Sequence, residues 1–170
     1  MAREAAGHFQ LSQVLLIPNA IPPHKQRQAT AGYGHRLAMV ELAARTDARF
    51  AASRLEEGQE KSYSILTIER VRRELGPEAA LFFLIGADAF SEIETWFRWR
   101  DVLEQVDFVV LSRPGYTYDI PPGARVHRLE TLQLDVSSTA IRRRLTAGEA
   151  PPELPPAVLT YIREHRLYGA

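Results

Sequence analysis

The chain has no cysteine among its 170 residues. That excludes disulfides, thiolate nucleophiles and thiolate metal sites, and it fits a cytosolic protein. Long apolar runs are missing too, and no stretch of the sequence approaches the roughly 20 residues that a helix needs to span a bilayer. The N-terminus lacks the basic and apolar regions of a signal peptide. Excess charge of either sign is also absent, with 21 basic against 21 acidic side chains. Nothing therefore draws the chain to nucleic acid or to an anionic membrane as a bulk partner. There is no internal repeat, and 170 residues suffice for one domain with a real core but are short for two.

Short apolar runs set the pattern. Val14–Ile17, Leu81–Ile85 and Phe108–Leu111 are apolar throughout, as strands buried on both faces would be. Phe50–Ala52 and Val126–Leu129 read as further short strands. Between them lie helical patterns: Met1–Phe9, rich in Ala and Glu; His35–Ala44, with Leu37, Val40 and Ala44 inward; and a helix marked by Ile65, Ile68, Val71 and Leu75, stopped by Gly76-Pro77. Arg98–Gln105 is a short helix, and Leu154, Val158, Leu159 and Ile162 mark a terminal one that begins after Pro155-Pro156. Strands alternating with helices predict an α/β fold built on a mostly parallel, doubly wound sheet. Loops at the carboxyl ends of such strands are where ligands bind. The segment Asn19–Gly34 is one, carrying Pro22, Pro23, His24, Lys25 and Arg27. Glu56–Lys61 reads as another polar loop, and Tyr63, Phe90 and Trp99 as packing residues.

The stretch with most chemistry is Asp135–Arg142. Val136 ends an extended approach, and a helix over Thr139–Leu145 follows, with Ile141 and Leu145 spaced to face a core. Ser137 or Ser138 suits the N-cap. A helix start gathers unpaired N–H donors and the positive end of the dipole, which suits a phosphate, and Arg142 one turn in can fork two donors onto the same anion. Spacing alone equally describes a capped helix with a solvated Arg142-Arg143-Arg144 face.

Ser137-Ser138-Thr139-Ala140-Ile141-Arg142 resembles the ISSTxIR signature of the nucleotidyltransferase superfamily. Four further stretches, Ile17–Lys25, Ile85–Asp88, Thr95–Phe97 and Ser112–Gly115, narrow the resemblance to bacterial nicotinate-nucleotide adenylyltransferases. It runs along nearly the whole chain and implies a Rossmann-like nucleotidyltransferase fold in a single domain. It also implies transfer of adenylyl from ATP to nicotinate mononucleotide, giving deamido-NAD and pyrophosphate. Members of that family open with a strand, a Gly-Thr-Phe-Asp-Pro loop and an HxGH motif, which this sequence does not contain. Ala5 stands where the first His is expected, and His8 reads as a surface histidine on a helix. The resemblance therefore implies an N-terminally shortened chain, without the central strand expected between Val14–Ile17 and Leu81–Ile85 and with impaired chemistry. An exposed inner strand edge would invite association into a homo-oligomer.

By the same resemblance Ser137, Ser138, Thr139, Ile141 and Arg142 hold ATP, with Arg142 countering charge on the departing pyrophosphate. His24 and Lys25 approach the phosphates, Lys25 on the catalytic side and also toward the mononucleotide. Arg113 reaches ATP, although Arg-Pro-Gly is also ordinary turn chemistry. Asn19 and Asp88 position the mononucleotide, Asp88 having a rival role as N-cap of Ala89–Ile93. Trp96 offers a flat face to the pyridine ring, where a core position is the plainer alternative, and Phe97 stands where relatives often carry Tyr. Ser64, ahead of its helix, presents an N–H to the carboxylate. Mg²⁺ would ride on the ATP phosphates, since no dense carboxylate cluster argues for a metal held by the protein. Two other readings stand beside this one: a nucleotide-binding relative without catalysis, and another adenylyl- or cytidylyltransferase, such as one acting on phosphopantetheine.

Overall fold

A computed structural model of the chain describes residues 1–20, 31–131 and 137–170. In chain order the helices and strands are α1 (Ala2–His8), β1 (Val14–Leu16), α2 (Tyr33–Ala44), β2 (Phe50–Ala52), α3 (Ser64–Leu75), β3 (Phe82–Gly86), α4 (Ala87–Phe90), α5 (Trp99–Gln105), β4 (Asp107–Ser112), β5 (Arg125–Glu130), α6 (Ser138–Thr146) and α7 (Pro156–Glu164). Single 3₁₀ turns cover Ile93–Thr95 and Leu167–Gly169. The chain packs as two compact units, Met1–Gln10 with Ser62–Leu134, and Leu11–Lys61 with Asp135–Ala170. Each has its own sheet, ordered β3-β4-β5 in the first and β1-β2 in the second. All strand pairs are parallel, as the unbroken apolar runs predict.

In the first unit β4 is the middle strand, and its residues from Phe108 to Ser112 are all buried. The pleat sends alternate side chains to opposite faces. Phe108 and Val110 join the cluster that contains Ile65 and Ile68 of α3, Phe90 of α4 and Val102 of α5. Val109 and Leu111 pack with Leu129 and with Ala5 of α1, whose small side chain lets the helix backbone approach the sheet. Ala5 and Ala6 are fully buried, whereas His8 is exposed, as the sequence suggested. In the second unit Leu145 of α6 packs with Val158 and Ile162 of α7, against Met39, Leu42 and Ala43 of α2.

Element boundaries differ from expectation by a residue or two, and two side chains stand out by their burial. Leu75, one of the four apolar residues that mark α3 in the sequence, is 53% exposed. It is the last residue of α3, where Gly76 breaks the helix at φ 86° and releases the side chain to solvent. Glu56, placed in a polar loop, is only 6% exposed; a backbone N–H partner described below accounts for that burial. Among the described residues no helix is long and apolar enough to cross a membrane.

Phe108→Ala should lower the unfolding free energy by about 3–5 kcal/mol, much of a typical total of about 5–15 kcal/mol, as read from urea denaturation. A smaller effect should follow pH. Burial pushes the Asp107 carboxyl up, but hydrogen bonds from Arg125 and His127 outweigh it and hold the pKa below its ordinary value. The ionised carboxylate therefore stabilises the fold above the ordinary carboxylate pKa, and that contribution fades as pH falls through the lowered one. The urea midpoints of parent and Asp107→Asn should converge in acid and separate toward neutrality.

Candidate functional site

The sequence-predicted residues fall into a group on each unit. In the first unit they follow the carboxyl ends of β3 and β4, which the register Gly86↔Leu111 places side by side. Asp88 comes two residues after β3. It caps nothing, because α4 begins at Ala87 with Gly86 as N-cap and no side-chain cap. Its exposed carboxylate instead meets the hydroxyl of Tyr116, whose pKa the hydrogen bond and the nearby negative charge raise. Arg113 follows β4 directly and is exposed. The Tyr116 N–H donates to the Arg113 carbonyl at 3.1 Å, with Gly115 at φ 76°, the left-handed position that a Pro-Gly turn requires. This turn brings Tyr116 back to Asp88. The sequence did not single out Tyr116, although the Arg-Pro-Gly turn was its signal.

The aromatic residues form a second patch on the same unit. Trp96 is half-buried, packs on the main cluster and meets Phe83 edge-on at 5.8 Å. Phe97, by contrast, is 51% exposed, with its ring 4.7 Å from that of Tyr63. Tyr63 is the N-cap of α3, so Ser64 opens the helix beside this pair. The first N–H groups of a helix have no intrahelical acceptor. The start of α3 therefore places free donors next to an exposed aromatic face.

In the second unit the start of α6 has the geometry that its sequence implies. Ser137 is the N-cap, its side chain accepting from the Ala140 N–H at 3.5 Å. Ser138 and Thr139 are exposed in the first turn. Ile141 is half-buried against the Leu145, Val158 and Ile162 cluster. Arg144 is engaged by Glu149 at 2.8 Å and Glu153 at 3.1 Å. The half-buried Arg142 meets no carboxylate among the described residues. Helix rotation separates the two, so the acids that engage Arg144 do not engage Arg142.

His24 and Lys25 lie outside the described residues. The flanks of that segment are held by a residue that the sequence reading missed. Arg36 on α2 donates to the carbonyls of Asn19, Ala20 (3.0 Å) and Ala31 (3.1 Å). Its guanidinium also lies 5.4 Å from the Tyr33 ring centre. The Ala20 N–H donates to the buried Glu56 carboxylate at 3.1 Å. Asn19 is therefore fixed through its main chain. Nothing in the spacing of Arg36 or Glu56 set them apart from a solvated helical cation and a loop acid. Ala31 lines the same open cleft as Arg142, so the C-terminal flank of this segment is brought to α6.

Comparison with known proteins bears on what such a site serves. The family model described as cytidylyltransferase-like matches residues 1–144. A protein of Solibacter usitatus, named a probable nicotinate-nucleotide adenylyltransferase, is 57% identical over 168 residues, covering 99% of this chain and 89% of its own length. A protein of the same name from Exiguobacterium sibiricum is 39% identical over 171 residues, covering 99% and 89%. Among solved structures, nicotinic acid mononucleotide adenylyltransferase from Plasmodium falciparum, complexed with NaAD, superposes with a TM-score of 0.74 over 93% of this chain and 83% of its own. At 17% identity that likeness concerns the fold.

Glu56→Ala should accelerate hydrogen exchange of the Ala20 amide by about tenfold or more, the size expected from losing a charge-assisted bond of about 1.5–3 kcal/mol. Amide exchange measured by NMR on the intact chain checks this, and an unchanged rate at Ala20 would remove the clamp.

Proposed function

Because the chain belongs to the nicotinate-nucleotide adenylyltransferase family, we propose that it transfers the adenylyl group of ATP to nicotinate mononucleotide, releasing pyrophosphate and forming deamido-NAD. The observation that supports this reading best is the start of α6. There a capped helix end, two exposed hydroxyl residues and a half-buried arginine that pairs with no acid among the described residues lie within six consecutive residues, Ser137–Arg142.

The reaction is a direct displacement. A phosphate oxygen of the mononucleotide attacks the α-phosphorus of ATP as the bond to the β-phosphate bridging oxygen breaks. Catalysis then consists of alignment and of neutralising charge on the leaving pyrophosphate. Ser138 and Thr139 donate to the polyphosphate, and Arg142 takes up the charge that builds on the departing oxygens. Lys25 and His24 approach the phosphates from the 21–30 segment, and Asn19 stands at its root. Arg113 contributes to the ATP side. Hydroxyls, N–H groups and a guanidinium suit an anion rather than a bare cation, so these residues would hold Mg²⁺ only through the ATP phosphates, where it would supply charge screening.

On the mononucleotide side, Asp88 accepts from ribose hydroxyls, with Tyr116 orienting the carboxylate. Trp96 presents ring surface to the pyridine. Phe97 has no hydroxyl, so the carboxylate is read by its backbone N–H and that of Ser64.

The test is to incubate the chain with ATP and nicotinate mononucleotide and follow deamido-NAD and pyrophosphate. Nicotinamide mononucleotide serves as the competing substrate, and faster turnover of the acid is expected. Arg142→Ala should reduce turnover by at least about tenfold while changing mononucleotide binding less than about twofold. Kinetics equal to the parent would remove Arg142 from the mechanism. Binding of both nucleotides without product would move the reading to a nucleotide-binding protein of the same fold.

A further inference from the structure

Arg142 has a neighbour that the mechanism does not use. Its guanidinium carbon lies 5.6 Å from the centre of the Tyr168 ring, inside the range where the negative ring face attracts a cation. The two residues are far apart in sequence, and a short turn at the chain's end brings them together. Tyr168 sits in that turn at φ 58° and ψ 20°, two residues after Arg166 at φ 49°. Bulky residues rarely occupy the left-handed region, and such strain persists only where its surroundings enforce it. The surroundings are visible. The Thr146 hydroxyl contacts the Tyr168 carbonyl at 2.8 Å and the Arg142 carbonyl at 3.0 Å. Leu167 and Tyr168 also pack against the Leu145, Val158 and Ile162 cluster.

Arg142, Thr146, Arg166 and Tyr168 line one open cleft of about 500 Å³. Among the described residues, no carboxylate is part of its lining. Two guanidinium groups thus share a wall that holds no compensating acid. A long, flexible arginine in that position would sample many rotamers. An aromatic platform limits them without neutralising the charge, which a carboxylate partner would do.

We propose that Tyr168 is a positioning residue, whose ring holds the Arg142 guanidinium ready for the ATP polyphosphate while leaving its donors unspent. The proposal rests on the reading that Arg142 meets the polyphosphate, and the experiment separates the two. ATP binding is measured by calorimetry on the full chain for the parent, Arg142→Ala, Tyr168→Leu, Tyr168→Phe and the Arg142→Ala/Tyr168→Leu double variant, with thermal transitions recorded beside them. Tyr168→Leu should weaken ATP binding by about three- to tenfold, and Tyr168→Phe, which keeps the ring, by less than about twofold. In the Arg142→Ala background Tyr168→Leu should have no further effect, because the two residues act through one interaction.

Should Tyr168→Leu fail to fold, phenylalanines bearing one, two or three ring fluorines at position 168 replace it. Stepwise weakening with each fluorine supports the cation–π contact, and a flat series overturns it. Parent-like binding by Tyr168→Leu beside a weakened Arg142→Ala overturns the role of Tyr168 alone, as do additive losses in the double variant. Parent-like binding by Arg142→Ala, or no ATP binding by the parent, overturns the reading of Arg142 and the proposal with it.

Discussion

Parallel strand pairing is the constraint on which the rest of the structure depends. Parallel neighbours cannot be joined by a tight turn, so each pair needs a crossover that climbs back over the sheet. That requirement places α2 between β1 and β2, and α4 and α5 between β3 and β4. It also sends all carboxyl ends of a sheet to one edge. Asp88 and Arg113 are neighbours because Gly86 and Leu111 are paired in register, although the segment between them includes two helices. β4 makes this arrangement stable. Its fully apolar centre is buried on both faces, with odd and even side chains feeding different clusters.

Arginine does several distinct jobs, and burial and partners tell them apart. Arg36 spends its donors on main-chain carbonyls and so fixes Asn19 and the flanks of the segment that carries His24 and Lys25. Arg144 is consumed by two glutamates. Arg142, two positions earlier, has an aromatic ring beneath it and, among the described residues, no acid paired with it. A guanidinium kept charged, oriented and unpaired is what a polyphosphate-binding surface needs, because a bound carboxylate would have to be displaced before the ligand could enter.

The mononucleotide residues follow a similar logic. Trp96 is anchored in the core on one side, so its ring is rigid, whereas Phe97 and Tyr63 form a more exposed pair at the start of α3. Exposed aromatic surface beside the first N–H groups of α3, as Phe97 and Tyr63 provide, suits a flat heterocycle carrying a carboxylate. The exposed Asp88 carboxylate lies close enough to Tyr116 to raise the pKa of its hydroxyl.

The linear sequence was sufficient for whatever local periodicity and short-range geometry control. The all-apolar runs became parallel strands, the Ser137 cap became the start of α6, and the Arg-Pro-Gly turn after β4 formed as its residue types demand. The family signature around Arg142 was legible because it is contiguous. Tertiary structure alone decided which polar side chains are spent and which are kept. Burial of Glu56, the clamp of Arg36, the return of Tyr116 to Asp88 and the ring of Tyr168 under Arg142 all join residues distant in sequence or set apart by a loop. A charged residue looks the same in sequence whether it faces water or a carbonyl. Only the folded chain supplies the partner that distinguishes them.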